Sequence, residues 1–564
     1  MHDLVIRGGS VLDGTGAEAR SADVAIDGAR IAAVGVVSES GRRELDADGA
    51  LVTPGFVDVH AHYDGQATWD TQLAPSSWHG VTTVIAGNCG VGFAPVRERD
   101  RDRLISLMEG VEDIPGAALH EGIRWEWEHF PEFLDALASR SRDIDLGVLV
   151  PHGPVRLYVM GERGAAREAA SAEEIAEMGR IVREGVEAGA FGFSTSRTLN
   201  HRTSTGDFTP TLGAAAEELL GIARAMRASG RGAFEVVADF DDLEAEFEAF
   251  RRVAAETGAR TFVSLNQNKM GGYRAVLDRI AAATAEGLPM TAQVAARPIG
   301  VLMGLESTIH PFLLSPLWAQ EVGSERAARV AALRDPAFRA RIVESVASPG
   351  TLIGSPDRLF RLGDPPDYEP APETSLAARA ARAGRDPIDL LCDWLLDADD
   401  LVYWPIFNYA EGDLEAQRAL LEHPDTIVGL ADGGAHVGTI CDGSFPTTLL
   451  AHWGRDRTRG PKLPLPWLVK AQTADTAAAY GLADRGRVAP GLRADLNVID
   501  FERLRLRPPR LVRDLPAGGK RFLQRADGYL ATVVAGEVTY EHGEATGALP
   551  GRLVRSGRRP GSAG

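Results

Sequence analysis

Residues 51–65, LVTPGFVDVHAHYDG, restrict the fold of this 564-residue sequence more than any other stretch. Side chains alternate faces along a β-strand, so His60 and His62, separated by Ala61, project the same way from one strand end. Val52, Phe56, Val57 and Val59 supply the apolar run of a buried strand, and Thr53-Pro54-Gly55 marks its entry. Two imidazoles so placed can grip one metal ion. An isolated His-x-His also arises by chance, so the pair gains meaning only from the rest of the chain.

Beyond this strand the period switches repeatedly between short apolar runs and helical spacing, the βαβα signature of a parallel sheet or barrel. Further strands are expected at 81–87, 145–150, 188–193, 232–238, 260–265, 289–295 and 426–431, which with the His60 strand makes eight. Ser171 with Glu174 three residues on is a capping box, opening an apolar series of Ile175, Met178, Val182 and Val186 that Gly189 closes. Residues 242–257 carry a second stripe of Leu243, Phe247, Phe250 and Val253. The stretch from about 300 to 425 is too long for one βα connection and reads as an insertion over the mouth. Its Tyr368, Tyr403, Asn408 and Tyr409 either line a pocket or pack the insertion on itself. Both ends of the chain show short alternating runs punctuated by Gly and Asp, so they are expected to pair into one small β domain, with a frayed basic tail RLVRSGRRPGSAG.

From DLVIRGGSVLDGTG through TPGFVDVHAHYD to GVTTVIAGNCG, and again at VGLADGGAH and GRVAPGLRADLNVID, the chain resembles the amidohydrolase superfamily and, within it, the N-acyl-D-amino-acid deacylase branch. The resemblance implies an α/β fold: a (β/α)8 TIM-like barrel over 54–484, an insertion at about 300–425, and a small β-sandwich domain from 1–53 and 485–564. It implies His60 and His62 after strand 1 and Cys89 after strand 2 as metal ligands, with Asp432 after strand 8 as ligand and general acid/base. Strands 8, 1 and 2 adjoin in a closed barrel whose active site lies at the C-terminal strand ends, so these residues converge. The implied reaction is metal-dependent hydrolysis of a C–N amide bond, in which activated water attacks the carbonyl while Asp432 moves its proton to the leaving nitrogen. A thiolate in the set favours Zn2+ over Mg2+, and one ion per chain is expected.

The sequence departs from that branch at strands 5 and 6, where the deacylases place histidines that help hold their tightly bound metal. Here the segments read FEVVAD and FVSLNQNK, and no histidine occurs between His201 and His310, so a second metal position is not expected. Strand 4, GAFGFSTSRT, offers no lysine for a carbamate bridge. Lys269 at the end of strand 6, His152 after strand 3, His201 after strand 4 and His436 after Asp432 are candidates to face substrate. Asn266 and Gln293 would give the mouth an amide lining, and Arg197 and Arg297 are the candidates to receive a substrate carboxylate through a bidentate pair. Two alternatives stand beside the deacylase reading: hydrolysis of another C–N bond in a cyclic imide, ureide or peptide-like metabolite, and a metal-free binding protein on the same fold.

Composition narrows the partners. A formal charge of -19 and a pI near 5.2 argue against a nucleic-acid or anionic-membrane surface. Three widely spaced cysteines are not a disulfide framework. No basic leader with an apolar core and no run of 18 apolar residues occurs, so a cytoplasmic enzyme acting on a small-molecule amide is expected, as a monomer or a homo-oligomer.

Overall fold

The computed structural model describes residues 1–268, 271–348, 350–397 and 400–557. Its centre is a run of parallel strands in sequence order: β1 (Phe56–Asp58), β2 (Val81–Ala86), β3 (Asp145–Val148, resuming at Val150–Pro151), β4 (Gly192–Arg197), β5 (Ala233–Ala238), β6 (Thr261–Ser264), β7 (Met290–Val294) and β8 (Thr426–Val428). Each pairs in parallel with its successor, and helices separate most of them. A parallel bridge between Ala61 and Gly433 then ties the segment after β8 to the segment after β1. Backbone bonds from His62 N to Gly433 O (2.7 Å) and from Asp432 N to His60 O (3.1 Å) complete that tie.

The capping box at Ser171 and Glu174 forms, and the helix it opens runs over Ala172–Ala188 before Gly189 stops it at φ 125°. That length moves β4 four residues beyond the expected 188–193 and makes it a polar strand, GFSTSR, whose Ser194, Thr195 and Ser196 are buried. Asp242 caps Leu243–Thr257, with Phe247, Phe250 and Val253 buried as the stripe requires.

The two ends of the chain meet in one nine-stranded mixed sheet. Leu51–Pro54 is the seam, parallel to His2–Val11 on one side and antiparallel to Leu496–Ile499 on the other. Gly55 then carries the chain straight into β1, where an added Cβ would lie 2.2 Å from Thr82 Oγ1. A buried ion network fastens this sheet to the barrel: Asp145 at the start of β3 receives Arg485 (2.7 Å) and Arg493 (3.0 Å), and Arg493 also holds Asp495 (3.0 Å). Residues 550–557 do not fray; they return to the barrel, with Leu553 bridged to Leu146 and Ser556 N bonded to Gly189 O.

The insertion has its own core, including Trp318, Leu333, Ile342, Leu391 and Trp394. Its antiparallel strands Gly300–Met303, Val402–Pro405 and Phe360–Arg361 stand on the loops after β6 and β8, with Gln267 N bonded to Asn408 Oδ1 (2.8 Å) and Leu302 N to Thr439 O (2.8 Å). Helix Glu415–Glu422, inside the expected insertion, packs on the barrel core through Leu420 and Leu421.

Glu369 locks the insertion to the chain after β8, accepting from His452 (2.9 Å) and from Arg457 (3.1 Å to each oxygen). Burial pushes its pKa up, but these donors outweigh burial and hold it down to about 2. A depressed carboxylate adds stability above its unfolded pKa and loses it as pH falls through the folded value. Glu369→Gln should therefore lower the thermal midpoint at pH 7 by several degrees, because it takes from the buried Arg457 one of its two carboxylate partners and leaves Glu415 alone. In melts of both proteins the gap should narrow as pH drops from 4.5 towards 2.

Candidate metal centre

His60 and His62 leave the end of β1 side by side, each 1 % exposed, with ring centroids 5.4 Å apart. Cys89 comes from the turn after β2 at φ 56° and brings Sγ to 3.3 Å from His60 Nε2. One ligand atom each from His60, His62 and Cys89 lies within 4.8 Å of the others, a donor set able to hold one ion. Asp432, at φ 47° after β8, places Oδ1 3.4 Å from His60 Nε2 and 3.7 Å from His62 Nε2. Its side chain is 14 % exposed, so unlike the histidines it reaches open space. The glycines beside it serve close packing against β1, since a Cβ on Gly434 would meet His62 O at 2.9 Å.

Partners behind the ligands set their orientation. His60 Nδ1 donates to Gln293 Oε1 (2.8 Å), whose Nε2 donates to the Tyr480 hydroxyl (3.2 Å). His62 Nδ1 lies 3.2 Å from Glu112 Oε1, at the end of helix α1 (Arg101–Glu112). Both rings thus turn Nε2 to the centre, as a metal requires of its histidines. Burial pushes His60 down to about 4 and His62 down to about 3, so both are neutral with free lone pairs at neutral pH.

The surroundings are acidic. Burial raises Glu112 well above the carboxylate range, Asp64 to about 7 and Glu235 to about 8, and raises Asp432 against the pull of His60 and His436. The Cys89 thiol is pushed up by burial and then by Glu235, Glu112, Asp432 and Asp64. His62 Nδ1 and both Glu112 oxygens are buried without a well-formed hydrogen bond. Orphaned carboxylate oxygens, a suppressed thiol and neutral imidazoles together fit a bound cation, which would relieve every one of these penalties.

The structure separates the other expected site residues. His201 stays near the centre: its Nδ1 meets Ser196 Oγ (2.9 Å), while burial and the nearby His436, His62 and His60 push it down to about 3. His436 faces Glu112 Oε2 at 3.7 Å and is partly exposed. His152 is buried with both nitrogens engaged, by Thr195 Oγ1 and Glu218 Oε1 (2.9 Å each), so it braces β3 against its neighbours instead of facing substrate. Arg197 turns to Glu246 (3.3 Å). Arg297 is buried over Tyr368 (3.6 Å) and bonded to Asp442 (3.1 Å) and Ser444 (3.1 Å), so neither guanidinium is open to a substrate carboxylate. Gln293 orients His60 rather than lining the mouth, and Asn266 receives Asn408 Nδ2 (2.9 Å). Lys269 lies outside the described residues. Tyr368, Tyr403, Asn408 and Tyr409 are buried and pack the insertion and its base.

Three carboxylates escaped the sequence reading. Glu235, in the β5 segment that lacks the branch's histidine, accepts from Cys89 N (3.0 Å) and Ser264 Oγ (3.2 Å); a lone acid inside the apolar run AFEVVA is its signal. Asp64, two residues after His62, accepts from Gly87 N (3.2 Å). Glu112 carries no sequence signal, being one of many acids on amphipathic helices.

A His-x-His pair, a cysteine and an aspartate gathered at the C-terminal ends of a parallel α/β barrel define a metal-dependent hydrolase. Residues 43–540 match the amidohydrolase family, and the chain belongs to that family. D-aminoacylase of Alcaligenes xylosoxydans xylosoxydans is 27 % identical over 566 residues, 98 % of this chain and 97 % of the relative. N-acyl-D-glutamate deacylase of the same organism is 31 % identical over 511 residues, 89 % of this chain and 88 % of the relative. In structure, N-acyl-D-glutamate deacylase from Bordetella bronchiseptica, complexed with zinc and a phosphonate inhibitor, superposes with a TM-score of 0.64 at 25 % identity, covering 98 % of this chain and all of that one. The fold is a TIM-barrel amidohydrolase with an extra domain, and the protein is a hydrolase of C–N bonds other than peptide bonds. No helix among the described residues is long and apolar enough to cross a membrane.

Removing the support behind His60 tests the centre directly. Gln293→Ala should weaken metal binding, read with zinc as the probe, by about 10- to 100-fold in competition with a chromophoric chelator, leaving the fold intact.

Proposed function

We propose that this chain is a zinc-dependent deacylase that hydrolyses a linear amide of the N-acyl-D-amino-acid type, with one ion per chain held by His60, His62 and Cys89 beside Asp432. The observation that carries the proposal is the convergence of those donors on one point, with Asp432 the member that reaches open space. When bound, zinc supplies a Lewis acid that polarises a carbonyl and lowers the pKa of water to about 7. Asp432 takes the proton of the attacking water on its carboxylate and returns it to the leaving nitrogen, so the amine departs neutral. His201 and His436, near the centre, are placed to donate to the carbonyl oxygen or hold the acyl group. Glu235 accepts from Cys89 N on one oxygen and from Ser264 Oγ on the other, so it serves the turn that carries the thiol, which supports the one-ion reading. The insertion shields the mouth from water, and the enzyme acts in the cytoplasm, as monomer or homo-oligomer.

One observation favours a second reading. Arg197 and Arg297 are both engaged, so among the described residues neither expected arginine awaits a carboxylate, and a neutral C–N substrate such as a cyclic imide or ureide suits the acidic centre better. N-acyl-D-amino acids assayed beside cyclic imides and ureides distinguish the two.

The catalytic role of Asp432 has its own test. Asp432→Asn should retain zinc near one equivalent and a normal melt while kcat falls by about 10^2 to 10^4. Near-normal turnover would remove Asp432 from proton transfer, and purified protein without zinc that cannot be reloaded would overturn the metal-dependent reading.

A further inference from the structure

A cavity of about 1020 Å3 lies at the end of the barrel opposite the metal centre, around the starts of β5 and β6. Six arginines line it: Arg227, Arg231, Arg260, Arg485, Arg552 and Arg555. The one carboxylate in the lining is Asp484, which Arg485 already holds at 2.9 Å. Arg555 pairs with Asp135 (2.6 Å). Among the described residues, the other four have no carboxylate partner.

Their hydrogen bonds orient them without neutralising them. Arg227 donates to Thr257 O (3.3 Å), Arg231 to Val186 O (3.2 Å) and Glu187 O (3.0 Å), and Arg260 to Ala478 O (2.5 Å) and Ala479 O (2.8 Å). Capping of helix C-termini explains where each of these three sits. It does not explain why they face one cavity with an exposed fourth, Arg552, and no free acid, in a chain of net charge -19. Concave surfaces lined by one sign of charge focus their field and attract the opposite ion. Guanidinium groups fixed by backbone carbonyls keep remaining N–H donors in a planar fork that matches carboxylate and phosphoryl oxygens.

We propose that this cavity is a binding site for a small multivalent oxyanion, one molecule per chain, distinct from the amide substrate's site. The recognising chemistry is shared by oligophosphates and polycarboxylates, and the volume admits either. Calorimetric titration of the full-length protein at constant ionic strength with inorganic diphosphate, and separately with tricarballylate, distinguishes the sources. Saturable binding near one equivalent of either probe is expected. Arg552→Gln, at an exposed position that spares the fold, should weaken it by about tenfold, and Arg231→Gln combined with Arg552→Gln should abolish it. Arg42→Gln, at a remote exposed position, should leave it unchanged. Absence of saturable binding of both probes would overturn the proposal. So would equal binding by the wild type and the double variant, which would place the anion at the metal centre, and so would an equal loss in Arg42→Gln, which would reduce the effect to net charge.

Discussion

The catalytic face of this protein depends on the backbone tie between the segments that follow β8 and β1. The Ala61–Gly433 bridge, with His62 N on Gly433 O and Asp432 N on His60 O, brings the Asp432 carboxylate to 3.4 Å and 3.7 Å from the two imidazoles although they lie some 370 positions apart in sequence. The backbone is forced to match. Leu430, Asp432 and His436 all take left-handed φ between 47° and 55°, and Cys89 takes 56° in the turn after β2. Non-glycine residues pay a conformational penalty there that only a well-determined surrounding structure sustains, and such residues cluster at functional sites.

That geometry gathers more negative charge than the fold can comfortably hold. Glu112, Asp64, Glu235 and Asp432 surround the thiol and two imidazoles, and burial drives all four carboxyls towards their neutral forms. Glu112 meets only the imidazoles of His62 and His436 among the described residues' ion-pair contacts, neither of its oxygens has a formed hydrogen bond, and the charges of Asp432 and Asp64 raise it further. A cation at the centre reverses the balance, stabilising thiolate and carboxylates at once, so metal binding and the stability of the barrel mouth are one equilibrium.

The ligand strand was legible because alternation and a two-residue spacing suffice to define it; so was the helix opened by Ser171, whose cap is local. The offset of β4 was not, since polar GFSTSR shows no apolar run and becomes a strand only by pairing with Ala233–Ala238. Arginine placement was illegible for a different reason. Position at a strand end does not say which way a long side chain turns, and Arg197 and Arg297 both turn to buried or half-buried acids. Gln293 was legible as a polar residue on an inner strand, but its partner His60 is 233 residues away and only the closed fold reveals it.

Glu235 shows how one substitution pattern changes the site without dismantling it. An imidazole on this strand would present a lone pair to a second ion. The carboxylate instead accepts from the backbone of Cys89 and from Ser264, fixing the turn that aims the thiol at His60. Ser264 on β6 donates its hydroxyl to Glu235, so the two strands together brace the turn of Cys89. Hydrogen bonds from the β5–β6 side thus reach the Cys89 turn, while the β8–β1 tie positions Asp432 and the two histidines from the other side.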